Sequence, residues 1–421
     1  MKYKAVRGME DILPQNIGIW QELERIARRE LEFYGYTEIR TPLLEDTSVF
    51  TRSIGDTTDI VSKEMYTFKD RKGRSLTLRP EGTAPIVRAY VEHSMGAVSP
   101  DSKVYYIGPM FRSERPQKGR SRQFHQIGVE VFGAKSPYAD AEVIMQMSNM
   151  LRLFGIEEFR IKLNSLGCKE DKSRFADRLK KYLEKNKKRL CEDCKIRIKK
   201  NVLRALDCKN ETCIQAVRNA PNVVESLCDP CKSHFDKLKS VLKRMKIKFE
   251  EVENLVRGLD YYTGTVFEVT HPQLGGQDAI GAGGRYDNLV KDFGGPAIGA
   301  IGYALGMERV IIARRKSGPA GLSRTVFVAT MGDDAKIKGV ELAEKIRKDA
   351  SLSVLTDIKE VSLKAQMRNA DRNKAMVVVI LGEDELKVGK ATIRDMAAQK
   401  DVSVSLDEAV DKIKEIMGAK C

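Results

Sequence analysis

The chain has 421 residues, of which 74 are Lys or Arg and 59 are Asp or Glu, giving a formal net charge of +15. At ~100–200 residues per domain this length predicts two to four domains, and 42% hydrophobic with 32% charged residues is a globular composition. Membrane, secreted, collagenous and disordered classes are excluded: the longest apolar stretch, 297–307, falls far short of the ~20 residues of a span, and no apolar h-region follows Met1-Lys2-Tyr3-Lys4.

In chain order, Trp20, Leu23, Ala27, Leu31 and Tyr34 recur at helical spacing, which predicts a helix over 15–34 with one apolar face. Gly35 stands where a helix C-terminus favours positive φ. An extended run follows over 36–40 and stops at Thr41-Pro42. Residues 76–79, 103–107 and 126–132 carry strand-like runs, so the first half mixes helices with a sheet. Residues 264–270 and 279–286 continue with strand and Gly-rich turn signals. Between them lie two helix-like stretches, 173–190 with Phe175, Leu179, Tyr182 and Leu183 on one face, and 201–220. Residues 314–324, rich in Gly, Pro, Ser and charge, read as a linker. Beyond it come a strand (326–330), a helix (335–348), a strand (352–355), a helix N-capped by Ser362, and an unbroken apolar run over 376–381. That alternation indicates a compact α/β domain.

The charge is unevenly placed. Residues 168–248 hold 24 basic against 11 acidic residues, whereas 325–421 hold 17 of each and the rest is nearly balanced. The same segment holds seven of the eight cysteines, so it reads as a module inserted into a neutral host. A basic excess suits solubility, or a polyanion whose counterions it displaces.

Some chemistry is excluded. There is no Gly-x-x-x-x-Gly-Lys-Ser/Thr loop and no Gly-x-Ser-x-Gly elbow. The four histidines are too few for a histidine-rich metal site. Three clusters stand out instead. Residues 111–130 form two strand-like arms around a Pro/Gly loop, a hairpin signal. Gln126, Gly128 and Glu130 alternate along one arm and share a sheet face. Arg112 and Glu114 share a face of the other, and arginine beside carboxylate suits a phosphate bound next to an amine. Residues 255–264 place adjacent Tyr261 and Tyr262 between glycines, as a shaped pocket with polar tips would. Residues 279–287 and 298–309 are Gly-rich strand signals, and Arg309 closes an apolar run where its charge needs a partner such as phosphate.

At these residues the sequence resembles the histidyl-tRNA synthetases, a family of class II aminoacyl-tRNA synthetases, over essentially the whole chain. Residues 15–42 resemble class II motif 1, Phe111-Arg112-Ser113-Glu114 with its return arm motif 2, and Gly306-Met307-Glu308-Arg309 motif 3. The histidine-specific parts are Arg257-Gly258-Leu259-Asp260-Tyr261-Tyr262, Gly283-Gly284-Arg285-Tyr286-Asp287 and Pro80-Glu81-Gly82-Thr83. The resemblance implies an α+β class II catalytic core, an antiparallel sheet flanked by helices, at 1–167 plus 249–324. It also implies a helical basic insertion at 168–248 and an α/β anticodon-binding domain at 325–421. The implied reaction activates L-histidine with ATP, accompanied by magnesium, and charges tRNA(His) in a cytoplasmic homodimer. Arg112 would hold the ATP α-phosphate, Arg309 the γ-phosphate, and Arg257 the far side of the α-phosphate, with Glu114 also at the nucleotide. Glu81, Gly82, Thr83 and Gln126 would bind the amino end of histidine. Glu130 and Tyr262 would bind the imidazole, with Tyr261 and Tyr286 lining its pocket. Arg115 and Gln117 would touch the tRNA acceptor end.

Cys191-x2-Cys194 and Cys228-x2-Cys231 point to a structural zinc more than to disulfides in a reducing compartment. Cys208 and Cys213 lie between the pairs; Cys168 and Cys421 have no evident partners. The insertion is expected to act as an electrostatic clamp on tRNA and to leave histidine adenylation mostly independent of it. Two rival readings differ in class. A histidine-sensing regulatory paralogue that partners a phosphoribosyltransferase would lack the last domain and lose catalytic arginines, and both are present here. A non-catalytic RNA-binding module would explain the charge but not Glu81, Gln126 and Glu130.

Overall fold

The computed structural model describes residues 3–55, 58–99, 101–208, 210–275, 278–314, 325–357 and 361–418. The chain forms two compact units, Met1–Ser317 and Gly318–Cys421. Apart from Arg314, the linker expected at 314–324 lies outside the described residues.

The first unit is built on an eight-stranded sheet. Its strands are β1 (Thr37–Glu38), β2 (Lys103–Phe111), β3 (Gln123–Phe132), β4 (Arg160–Ser165), β5 (Glu250–Glu251), β6 (Thr263–Thr270), β7 (Ala279–Arg285) and β8 (Ala300–Gly306). They lie in the order β1-β2-β3-β8-β7-β6-β4-β5. The six inner strands pair antiparallel, as expected. The short edge strands β1 and β5 pair parallel to their neighbours, which makes the sheet mixed. The predicted hairpin is β2–β3, in register from Lys103↔Val131 to Phe111↔Gln123.

Strand alternation divides the core. Tyr105, Ile127, Val129 and Val131 point into a cluster with helix α1 (Pro14–Phe33), whose buried residues are the predicted Trp20, Leu23, Ala27 and Leu31. Val104, Tyr106, Met110 and Phe132 belong to the opposite cluster, beside α2 (Thr83–Glu92). Helix α3 (Pro137–Leu153) joins the first cluster through Ile144, Met147 and Leu151. Neither α2 nor α3 was legible in the sequence. Both are buried on most of their circumference, so the one-sided apolar period that betrays a surface helix is missing.

The basic segment holds α4 (Lys169–Lys185), α5 (Glu192–Lys200), α6 (Glu211–Val217) and α7 (Asp229–Arg244). Phe175, Leu179, Leu183, Ile198 and Val217 give it a small core of its own. Phe235, Leu238 and Leu242 of α7 instead join the main core. The continuous helix expected over 201–220 is broken. A 3-10 turn covers Val202–Asp207, and Asn210 then caps α6 by accepting the Thr212 N–H at 3.0 Å. After the last strand of the sheet, the short helix α8 (Met307–Ala313) carries Arg309.

The second unit has strands β9 (Thr325–Thr330), β10 (Ser353–Thr356), β11 (Val377–Leu381), β12 (Lys390–Asp395) and β13 (Lys400–Ser405), in the order β10-β9-β11-β12-β13. The first three are parallel, as the unbroken apolar run of β11 predicted. The β12–β13 hairpin is antiparallel and was not foreseen. Helices α9 (Asp333–Ala350), α10 (Leu363–Arg372) and α11 (Ala409–Ile416) pack with this sheet, and a short helix covers Glu383–Lys387.

Candidate active site

The sheet positions an open cleft lined by both polar and apolar side chains. Glu81, Thr83, Arg112, Glu114, Gln126, Arg257, Tyr261, Tyr262 and Arg309 all line it. Nine of the residues expected from sequence therefore meet in one place, although they span more than half the chain.

Each arginine is fixed by a different device. Arg112 follows directly on β2; its Nε donates to the Pro80 carbonyl at 2.8 Å and its plane lies over the Phe124 ring, 5.2 Å from the centroid. Arg257 donates through Nη1 to Glu268 at 2.7 Å, and its buried Nε has no hydrogen-bond partner among the described residues. Arg309 sits in the first turn of α8, donating to the carbonyls of Gly119 at 3.0 Å and Ala279 at 2.5 Å. Burial pushes the Arg309 pKa down, and Arg120 adds like-charge repulsion. Several cations crowding one cleft favour a polyanionic ligand.

Carboxylates share the cleft wall with these arginines. Glu81 accepts the N–H groups of Thr83 and Ala84, both at 2.8 Å, at the start of α2. Burial nonetheless raises its pKa. Gln126 Oε1 is buried without a partner among the described residues, an acceptor left for a ligand's N–H. Glu114 is held by Arg120 at 2.5 Å.

Behind this wall lies a deeper layer. Glu130 does not line the cleft; it is buried, with Thr83 Oγ1 donating at 2.6 Å and Tyr286 Oη at 2.5 Å. Burial pushes its pKa up to about 8. A Cβ on Gly302 would stand 2.0 Å from Glu130 Oε2, so only glycine leaves room for this carboxyl. Tyr106 fills the space that side chains at Gly82 and Gly128 would take, since a Cβ at either position would stand 2.3 Å from its ring, and so reaches the cleft. Tyr261 and Tyr262 contact each other at 4.7 Å, and Tyr261 meets Tyr286 edge-on at 5.9 Å. Burial pushes the Tyr262 hydroxyl up to about 12, against the pull of Arg257. The gaps that admit Tyr106 could have been suspected from Gly128 on β3 and Gly82 at the head of α2, but not the residue that fills them.

Other predicted residues fall elsewhere. Arg115 and Gln117 are exposed on the β2–β3 loop, which a Gln117↔Arg120 bridge closes. Arg285, within a histidine-specific motif, is structural: it pairs with buried Asp140 at 2.7 Å and donates to the carbonyls of Ala134 and Ser136. The four cysteines expected to share one metal do not meet. Cys191 and Cys194 cluster with Cys208 and Cys213, while Cys228 and Cys231 cluster with Cys168 and Asp171. The fold places the two Cys-x2-Cys elements at the starts of different helices, α5 and α7, and spacing alone could not reveal that. Cys168 thus has partners after all, and Cys421 lies outside the described residues.

The basic segment is also not separate from the site. Lys172 Nζ donates to the carbonyls of Asp260 at 2.9 Å and Tyr262 at 3.2 Å. Arg204 Nη2 donates to the Gly258 carbonyl at 2.7 Å, and Asn201 donates to Asp260 Oδ1 at 2.9 Å. These three residues, which sequence reasoning missed, hold the loop that carries Arg257, Tyr261 and Tyr262. The expectation that this segment leaves the amino-acid site untouched is therefore corrected.

A sheet antiparallel across its six inner strands, with an arginine-rich hairpin cleft and an arginine at the head of a short helix, defines a class II aminoacyl-tRNA synthetase core. The chain matches the histidyl-tRNA synthetase family model over residues 8–310 and the anticodon binding domain model over 325–416. It is 47% identical to the histidine–tRNA ligase of Halothermothrix orenii over 421 residues, covering 99% of this chain and 100% of that one. Apo S. aureus histidyl-tRNA synthetase superposes with a TM-score of 0.82 at 34% identity, covering 98% of this chain and 100% of that one. A Bacillus halodurans C protein titled ATP phosphoribosyltransferase regulatory subunit/histidyl-tRNA synthetase shares the fold, with a TM-score of 0.67, 22% identity and coverage of 90% and 98%. This chain belongs to the histidyl-tRNA synthetase family.

Proposed function

We infer that the chain is a histidine–tRNA ligase. It joins L-histidine to AMP from ATP and then passes the histidyl group to the 3′ end of tRNA(His). In the first step a histidine carboxylate oxygen attacks the α-phosphorus in line, the bond to the β-phosphate oxygen breaks, and pyrophosphate leaves. The observation that carries this reading is the joining of Arg112, Arg257 and Arg309 with Glu81 and Gln126 in one cleft. The histidine carboxylate is already ionised, so no general base is needed. Catalysis is positioning plus cationic stabilisation of charge spreading over phosphoryl oxygens.

In this reading Arg112 and Arg257 grip the α-phosphate from opposite sides and Arg309 grips the γ-phosphate. Glu114 also contacts the nucleotide, whose magnesium enters as part of the substrate. Glu81, Thr83 and Gln126 take the α-ammonium beside Gly82. Tyr262 reads the imidazole from the cleft wall and Glu130 from behind it, through the layer of Thr83 and Tyr286 hydroxyls, with Tyr261 as the adjoining wall. A site whose polar groups expect two ring nitrogens rejects apolar side chains, because those groups would go unpaired. Arg115 and Gln117 meet the tRNA acceptor end, and residues 325–421 take the anticodon. The enzyme works as a cytoplasmic homodimer; exposed Phe33 within the motif 1 segment and exposed Leu43 and Leu44 just after it support an interface there.

Histidine-dependent ATP–pyrophosphate exchange, followed by charging of tRNA(His), tests the reading. Arg257→Ala is expected to lose most exchange while histidine binding largely survives. Near-normal exchange in that variant removes Arg257 from catalysis. A protein that binds histidine but neither exchanges nor charges would instead be the regulatory paralogue, and one that binds only RNA the non-catalytic module.

A further inference from the structure

The two cysteine clusters are built alike. Cys191 caps α5 with Cys194 at its third helical position, Cys228 caps α7 with Cys231 at the same place, and Cys168 caps α4 with Asp171. Each pair brings two ligand atoms to one helix N-terminus. In the first cluster Cys208 and Cys213 complete a set of four sulfurs. In the second the Cys168-x2-Asp171 and Cys228-x2-Cys231 elements face each other. Within each set the ligand atoms lie within 4.8 Å of one another.

The geometry suits a tetrahedral metal. Cys191 Sγ and Cys208 Sγ are 3.8 Å apart, too far for a disulfide and equal to the edge of a tetrahedron with ~2.3 Å metal–sulfur bonds. All seven cysteines of the segment are free thiols. Backbone N–H groups already point at the sulfurs: Cys191 N donates to Cys213 Sγ at 3.1 Å and Asn210 N to Cys208 Sγ at 3.5 Å. Such donors offset the charge of metal-bound thiolates. Asp171 is wholly buried, with its carboxylate oriented by the N–H groups of Cys168 and Cys228 and by Arg174. A thiolate-rich tetrahedral set selects zinc.

We propose that this segment holds two structural zinc ions, one on Cys191, Cys194, Cys208 and Cys213, the other on Cys168, Asp171, Cys228 and Cys231. Both sites adjoin the residues that brace the active-site loop. Lys172 follows the ligand Asp171 directly. Asn201 and Arg204 lie on the stretch between ligands Cys194 and Cys208, so the first ion pins both ends of the span that supports Gly258 and Asp260. The metals therefore fix a scaffold that positions Arg257 and Tyr262 without touching substrate. This consequence for activity rests on the ligase reading; the metal content does not.

The test is zinc stoichiometry of the full-length protein, purified under reducing conditions and reconstituted anaerobically with zinc alone. Two ions per chain are expected, falling to one in Cys213→Ser and to one in Cys228→Ser. One ion or none in the unsubstituted protein overturns the proposal. Cobalt replacement in the same unsubstituted chain avoids dependence on variant folding. Two equivalents should titrate in with the charge-transfer and ligand-field bands of tetrahedral cobalt thiolates. Saturation at one equivalent, or octahedral spectra, also overturns it. Chelation of the ions should lower histidine-dependent exchange, and zinc should restore it. Two bound ions with unchanged exchange after their removal would overturn the positioning role.

Discussion

Arg204→Ala isolates the contact between the basic segment and the active-site loop. The Arg204 side chain is 10% exposed, donates to the Gly258 carbonyl at 2.7 Å and stands 3.7 Å from Asp260. Truncation removes one charge-assisted hydrogen bond, worth ~1.5–3 kcal/mol. It also takes one of the two cations from Asp260, which costs less than the ~3–5 kcal/mol of a fully buried pair because Asp260 is part-exposed. The same guanidinium makes both contacts and Lys172 still faces Asp260, so the terms overlap, and we expect ~2–4 kcal/mol against loop closure. A displaced Arg257 should then lower kcat/KM in ATP–pyrophosphate exchange ~100-fold, the cost of misplacing a catalytic group by about 1 Å. Arg204→Lys keeps the charge without the planar fork and should recover part of the loss. The sign of the pH effect follows from Asp260. Burial raises its pKa, opposed by Arg204 and Lys172. The stability it carries is thus fully present below its unfolded-state pKa and is lost as pH rises through the folded value. Removing Arg204 raises the folded value further, so the denaturation midpoint of the variant should fall further behind that of the parent as pH climbs above the ordinary carboxyl range. Unchanged exchange kinetics in a folded Arg204→Ala protein would refute the bracing role.

Two further outcomes bear on the buried carboxyl and on the charge. The Glu130 pKa is raised from 4.5 to about 8, so stability should fall as pH rises across that interval, by up to ~1.4 kcal/mol per pH unit. Glu130→Gln should flatten this slope in urea denaturation between those values; an unchanged slope would assign the titration to another group. Neutralising the exposed Lys180, Lys181, Lys188 and Arg189 should weaken tRNA binding and reduce its salt slope by ~0.9 for each phosphate no longer neutralised. Exchange should stay unaltered, because none of these four contacts the loop; an unchanged salt slope would place the RNA-binding face elsewhere.

Local pattern carried much of this far. The apolar face of α1, the alternation of Gln126, Gly128 and Glu130 along β3, and the continuous apolar run of β11 are periodicities written in the chain itself. The motif residues of the cleft were legible because their chemistry demands particular side chains at short spacings. Helices α2 and α3 were not legible, since burial on most sides erases the one-sided pattern.

What the sequence determined by itself was the reaction class, the sheet-based core, the α/β second unit, and a basic, cysteine-rich segment inserted within the core. Tertiary structure alone decided how distant residues combine. It split two Cys-x2-Cys elements between two sites, withdrew Glu130 behind the cleft wall, and joined Lys172 to Asp260 across 88 positions. Spacing constrains only residues a few positions apart on one element. Contacts across dozens of positions depend on where helices land on the sheet, and that is settled by the burial of apolar surface far from the groups that meet.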